Sequence, residues 1–133
     1  MIERARGGMR GVLSWIIGTP LMLPTSLLEE FPELGDARWR RGGLAVRIGG
    51  WCLGRSTVSG ITLWRTVWIA HSAALHPELL LHELRHVHQF QADTFFPLRY
   101  VWRSVRNGYL NNPYEADARD FAARRSISAH STA

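Results

Sequence analysis

Hydrophobic and polar positions fall into two regimes along this chain. In the first half, Leu44, Val46 and Ile48 alternate with Ala45, Arg47 and Gly49, and a second alternating run extends from Ile61 to Ala70. Alternation of period two is the pattern of a strand with one buried face, and the glycine-rich turn around Gly54 separates the runs, so two or three antiparallel strands are expected. Ahead of them, Ser26 is placed to cap a short helix through Phe31, which Pro32 and the Gly35-Asp36 turn would end.

After His76 the spacing becomes helical. Pro77 suits a first helical position, and Leu80, Leu84 and Val87 carry a helix to about Gln91. Leu98, Val101, Trp102 and Val105 follow the i, i+3, i+4, i+7 pattern of an amphipathic helix after Pro97, with Asn107-Gly108 as its stop. A last helix opens at Pro113 and runs through Tyr114, Ala118, Phe121 and Ala122 to about Arg125, and the Ser/Ala/Thr-rich segment 126–133 is expected to fray as a flexible tail. A strand-rich half followed by a helical half predicts an α+β fold. At 133 residues, one domain over 1–125 accounts for the whole core.

Composition and charge change this picture only at the margins. With 46% hydrophobic and 20% charged residues, the chain is neither intrinsically disordered nor collagen-like. All 16 basic residues are Arg, which produces the net charge of +5. They are scattered, without a five-residue basic block, and this argues against nucleic acid as the partner. Cys52 stands alone, so no intrachain disulfide forms, which suits a reducing cytoplasm. Arg4, Arg6 and Arg10 precede an apolar run from Val12 to Leu23 that copies the layout of a signal peptide. Gly18 and Pro20 interrupt it, it is shorter than the roughly 18 residues of a membrane span, and no small-x-small cleavage site follows within 24–30. Residues 12–23 are therefore expected to pack on the protein or lie on a membrane surface, not to direct secretion.

The chemistry concentrates at His82-Glu83-Leu84-Arg85-His86, an H-E-x-x-H motif inside the helix expected from Pro77 to Gln91. Residues four apart on a helix point within about 40° of each other, so the two imidazoles can share one zinc ion. Glu83 lies about 100° from His82, close enough to activate a water without becoming a third ligand on the same face. His88 is rotated by about 200° from His86 and faces away, while His71, His76 and His130 lack ligand spacing. A catalytic zinc takes three protein groups, and Asn112-Pro113-Tyr114-Glu115-Ala116-Asp117-Ala118 offers the third. On a helix whose buried stripe is Tyr114, Ala118, Phe121 and Ala122, Glu115 and Asp117 lie on the two edges while Asp120 faces solvent. Glu115 also sits three residues after Asn112, the arrangement of a capping box that needs no metal.

His-Glu-Leu-Arg-His-Val-His-Gln, the downstream Gly108-Tyr109 and Asn-Pro-Tyr-Glu-Ala-Asp-Ala together resemble the small bacterial zinc metallopeptidases of the gluzincin type, over about Gly60 to Ala123. The resemblance implies a zincin-like fold, a small and mostly antiparallel sheet packed on the H-E-x-x-H helix with a Glu-bearing helix behind it. It implies one Zn2+ held by His82, His86 and Glu115, with Glu83 as general base and proton shuttle, and a protein or peptide substrate pairing along the edge strand within Ile61 to Ala70. Many gluzincins carry an Asp four residues after the ligand Glu to orient a ligand His; here that position is Arg119, leaving Asp117, Asp120 or a backbone carbonyl for the task. Tyr109 and Tyr114 are the candidates for stabilising the transition state. The contrasting expectations are a zinc-bound interaction module without catalysis and an arginine-driven nucleic-acid binder.

Overall fold

The computed structural model of the chain describes residues 2–46 and 59–131. Its elements are α1 (Ile2–Ile17), β1 (Thr19–Pro20), α2 (Thr25–Glu30), a 3₁₀ turn (Pro32–Asp36), β2 (Arg38–Arg41), β3 (Gly60–Leu63), β4 (Thr66–Ile69), α3 (Pro77–Ala92), α4 (Phe96–Asn107) and α5 (Pro113–Ser131). This is the expected α+β class. The strand order is β1-β2-β4-β3. The outer pairs, β1 with β2 and β3 with β4, are antiparallel, but the central pair β2 and β4 is parallel, with Arg38 opposite Thr66 and Arg41 opposite Ile69. The sheet is therefore mixed.

Strand β2 has almost no hydrophobic pattern, which is why alternation misses it. Its anchor is Trp39, buried, with the indole N–H donating to the Leu34 carbonyl at 2.7 Å. The arginines beside it serve the backbone: Arg40 donates to the carbonyls of Ile17 and Gly18, and Arg41 to those of Ala70 and Ala73. The first expected strand is not formed where the alternation begins. Residues 44–46 are helical, and Ile48 and the Gly54 turn lie outside the described residues.

The run from Ile61 to Ala70 is two strands, not one. The chain reverses at Trp64, which adopts the left-handed φ of 53°. The alternation survives the turn only with a phase shift, so Thr62 lies opposite Val67 and shares the buried face with Val67 and Ile69. Among the described residues, β3 is an edge strand and β4 is internal.

Leu80, Leu81, Leu84 and Val87 form one stripe of α3 and are fully buried in a cluster with Phe31, Leu34, Val67 and Ile69. Each such side chain contributes about 1.5–3 kcal/mol of transfer free energy. On its far side α3 meets α5, whose buried positions Glu115, Ala118, Ala122, Ser126 and Ala129 form a single stripe of mostly small residues. That stripe corrects two expectations. Glu115 lies within it and not at the edge of a stripe built on Tyr114 and Phe121, and the helix continues through the segment expected to fray, because Ser126 and Ala129 repeat the spacing that packs Ala118 and Ala122.

Two smaller corrections concern the N-terminal third. Ser26 lies inside α2 and not at its cap, a position taken by Pro24 without a side-chain hydrogen bond. The apolar run 12–23 is divided: Leu23 joins the core, whereas Val12, Leu13, Trp15, Ile16 and Ile17 remain exposed on α1. Among the described residues no helix is long and apolar enough to cross a membrane.

Candidate metal centre

Helix α3 begins with Pro77 at its first position and with the His76 ring accepting from the Glu78 N–H at 3.3 Å. Because its apolar stripe is fixed against the sheet, the side chains of residues 82, 86 and 89 project together on another side, at angles about 60° apart or less. The first turn of α5 supplies Glu115 opposite them. His82, His86 and Glu115 each present a ligand atom, and these atoms lie within 4.8 Å of one another; the group can hold a metal ion. His82 Nε2 is 2.9 Å from Glu115 Oε2, and His86 Nε2 is 3.1 Å from Glu115 Oε1. Two imidazole nitrogens and a carboxylate, with two of their separations near 3 Å, are a donor set that could hold a divalent cation.

The capping-box reading of Glu115 is settled by where its carboxylate goes. Both oxygens are engaged by the two imidazoles, and Oε1 also accepts from the Tyr100 hydroxyl at 2.6 Å. Asn112 starts the helix alone, its Oδ1 accepting from the Tyr114 N–H at 2.9 Å. Fully buried, Asn112 also donates through Nδ2 to the Tyr100 carbonyl and the Ser104 hydroxyl, tying α4 to the beginning of α5.

Behind these three groups, Gln89 sets the protonation pattern of His86. Its amide nitrogen donates to the Tyr114 carbonyl at 3.0 Å and to Asp117 Oδ2 at 2.9 Å, so its oxygen must face His86 Nδ1, 2.7 Å away. An amide oxygen only accepts, which puts a proton on Nδ1 and directs the Nε2 lone pair of the neutral ring toward the cluster. Asp117 acts through Gln89 and is itself held by the Arg85 guanidinium at 2.8 Å; it is not one of the three converging groups. Arg119 donates to the Leu110 carbonyl, and Asp120 pairs with Arg124 on the surface. The orienting role expected of an acidic residue after Glu115 is thus carried by a glutamine on α3.

Burial alone would lower the His86 pKa, but hydrogen bonding to Glu115 and the nearby charge of Glu83 reverse this and raise it to about 9. Burial pushes the Glu115 carboxyl upward, yet the hydrogen bonds from His82 and His86 dominate and hold it far below the usual carboxylate range. Tyr100 is driven well above an ordinary phenol, first by burial and then by the Glu115 charge, so its hydroxyl remains a proton donor. The Arg85 hydrogen bond lowers Asp117.

Glu83 points from α3 toward the sheet edge. Its carboxylate accepts from the Thr62 hydroxyl at 2.7 Å, and Gly60 lets the strand approach so closely that a Cβ there would stand 3.1 Å from Glu83 Oε1. Of the tyrosines singled out from sequence, Tyr114 contributes its carbonyl to Gln89 and its ring to Phe96, and Tyr109 lies in the connection between α4 and α5. Gln89 and Tyr100 are the residues that sequence reasoning missed. Gln89 was findable, being three residues beyond His86 on the same helix side; nothing in the spacing around Tyr100 relates it to Glu115. His88 faces away, as its rotation requires, stacking edgewise on Phe121.

Comparison with protein-family models, with curated proteins and with solved structures finds no match to this chain.

Proposed function

We propose that this chain is a zinc-dependent metallopeptidase of the gluzincin type. The observation that carries the reading is the convergence of His82, His86 and Glu115 beside Glu83, four residues from two helices with the chemistry of metal-assisted hydrolysis. His82, His86 and Glu115 would hold a zinc ion, which would supply Lewis acidity and a lowered pKa for bound water. Glu83 takes the proton from the attacking water as the new C–O bond forms, and returns it to the amine nitrogen as the C–N bond breaks. The Thr62 hydroxyl holds the Glu83 carboxylate near the edge of β3, where an extended peptide can add as a further strand. Gln89 and Tyr100 keep the His86 ring and the Glu115 carboxylate in their orientations.

The test is metal analysis of the purified protein together with hydrolysis of an unfolded protein substrate. One zinc per chain and cleavage abolished by a chelator are expected; stoichiometric zinc without cleavage would favour a second reading. In that reading the chain is a zinc-bound interaction module, and its supporting observation is that Glu83 is 6% exposed and already bonded to Thr62, as a structural acceptor would be.

A further inference from the structure

Helix α4 is turned inside out relative to an ordinary surface helix. Leu98, Val101, Trp102 and Val105 lie within an arc of about 100°, and their exposures are 70%, 60%, 61% and 76%. The opposite side of the helix carries buried Phe96, with Tyr100 and Ser104 turned to the protein through their bonds to Glu115 and Asn112. The apolar face thus looks away from the body, and among the described residues nothing covers it. Phe95 and Leu110, just beyond the two ends of α4, are 61% and 63% exposed and extend the patch.

The charge around this face indicates what covers it. Arg99, Arg103 and Arg106 occupy one shoulder of α4, which contains no acidic residue; Arg99 is paired with Asp93 at 3.2 Å, just ahead of the helix, so the charge left to be met is that of Arg103 and Arg106. A second copy of the chain would bring a like-charged helix and another net charge of +5 to the same surface. Lipid phosphates supply the missing countercharge, and Trp, Leu and Val beside Arg is the composition of a helix lying in a membrane interface. We propose that α4 docks this protein on the surface of an anionic phospholipid bilayer, with the apolar face among the acyl chains and the arginines at the headgroups. Tyr100 is on the far side of the same helix, so the metal cluster is held about one helix diameter, about 10 Å, from the lipid. The docking does not depend on the site being catalytic.

The experiment is co-sedimentation of the full-length protein with vesicles of phosphatidylcholine alone or mixed with phosphatidylglycerol. Binding to the mixed vesicles that weakens as salt rises is expected. Trp102→Ser with Val105→Ser lowers the partition coefficient by about 10-fold or more, and Arg103→Glu with Arg106→Glu lowers it by about 10-fold on mixed vesicles only. All four side chains are exposed, so the melting temperature and helical circular dichroism serve as a check that these variants fold. A parallel Val12→Ser, Leu13→Ser variant examines the other exposed apolar helix, α1. Binding that both α4 variants leave intact overturns the proposal, whatever the α1 variant does, and so does failure of the parent protein to bind either vesicle. Self-association in sedimentation velocity without lipid, abolished by the Trp102→Ser, Val105→Ser variant, would assign the face to a second copy instead.

Discussion

Helices α3 and α4 follow each other in the chain and are both amphipathic, yet they orient in opposite senses. In α3 the leucine stripe is wholly buried and the polar side bearing His82, His86 and Gln89 is turned to α5, so both faces are inside the molecule. In α4 the hydrophobic stripe faces out, and the inward side is made of an aromatic, a tyrosine hydroxyl and a serine. The difference lies in what each helix is tied to. The stripe of α3 meets a sheet that needs covering, whereas α4 is drawn in by the hydrogen bond that Tyr100 donates to buried Glu115 and the one that its Ser104 hydroxyl accepts from buried Asn112. Two polar contacts to buried residues thus fix the inward side of α4, and its four apolar side chains are left on the outside.

The sharpest way to break the contrast is at the polar side of α3. Glu83→Gln retains size and an acceptor for Thr62, and is expected to reduce hydrolysis by about 10²- to 10⁴-fold while stoichiometric zinc is kept. Undiminished turnover would remove the general base from the scheme. Next in size is the contribution of α5: Glu115→Ala is expected to weaken zinc by well over 100-fold, and Asp117→Ala, which reaches the site only through Gln89, by no more than about 10- to 100-fold. Zinc titration in competition with a chelator measures both, and the reverse order would mean that the carboxylates have exchanged roles.

The stripe of α3 supplies the stability side of the comparison. Leu84→Ala is expected to cost about 2–5 kcal/mol in denaturant unfolding, because it opens a cavity in a fully buried cluster. Smaller effects belong to the residues supporting the ligands. Gln89→Leu frees the His86 tautomer and Tyr100→Phe removes a donor to Glu115, so each should lower zinc affinity about 10- to 100-fold. Unchanged affinity in both would show that the ligands are held by packing alone. Smallest of all is Leu98→Ala on the outer face of α4, expected to change stability by no more than about 0.5 kcal/mol. A loss comparable with that of Leu84 would mean that the face is covered in the isolated protein.

Much of the site was legible in the amino-acid order because its chemistry depends on local spacing. Four residues on a helix bring two imidazoles together wherever the helix packs, so His82, His86 and the adjacent Glu83 needed no tertiary knowledge. The same holds for the starts of α3 and α5, where proline takes a first-turn position that lacks a backbone hydrogen bond anyway. The arginine-only basic set and the helical period of residues 98–105 were equally plain.

Only the folded chain decided the rest. Angles on an isolated helix left Glu115 and Asp117 both open; contact with α3 along the stripe from Glu115 to Ala129 turned Glu115 to the imidazoles and left Asp117 to Arg85 and Gln89. Strand β2 carries one inward apolar residue and became a strand through its partners β1 and β4, and the turn at Trp64 is hidden by an alternation that persists through a change of phase. Periodicity likewise located the apolar face of α4 without its direction, since the period of a helix specifies which residues share a side and carries no information on which side the rest of the protein will occupy.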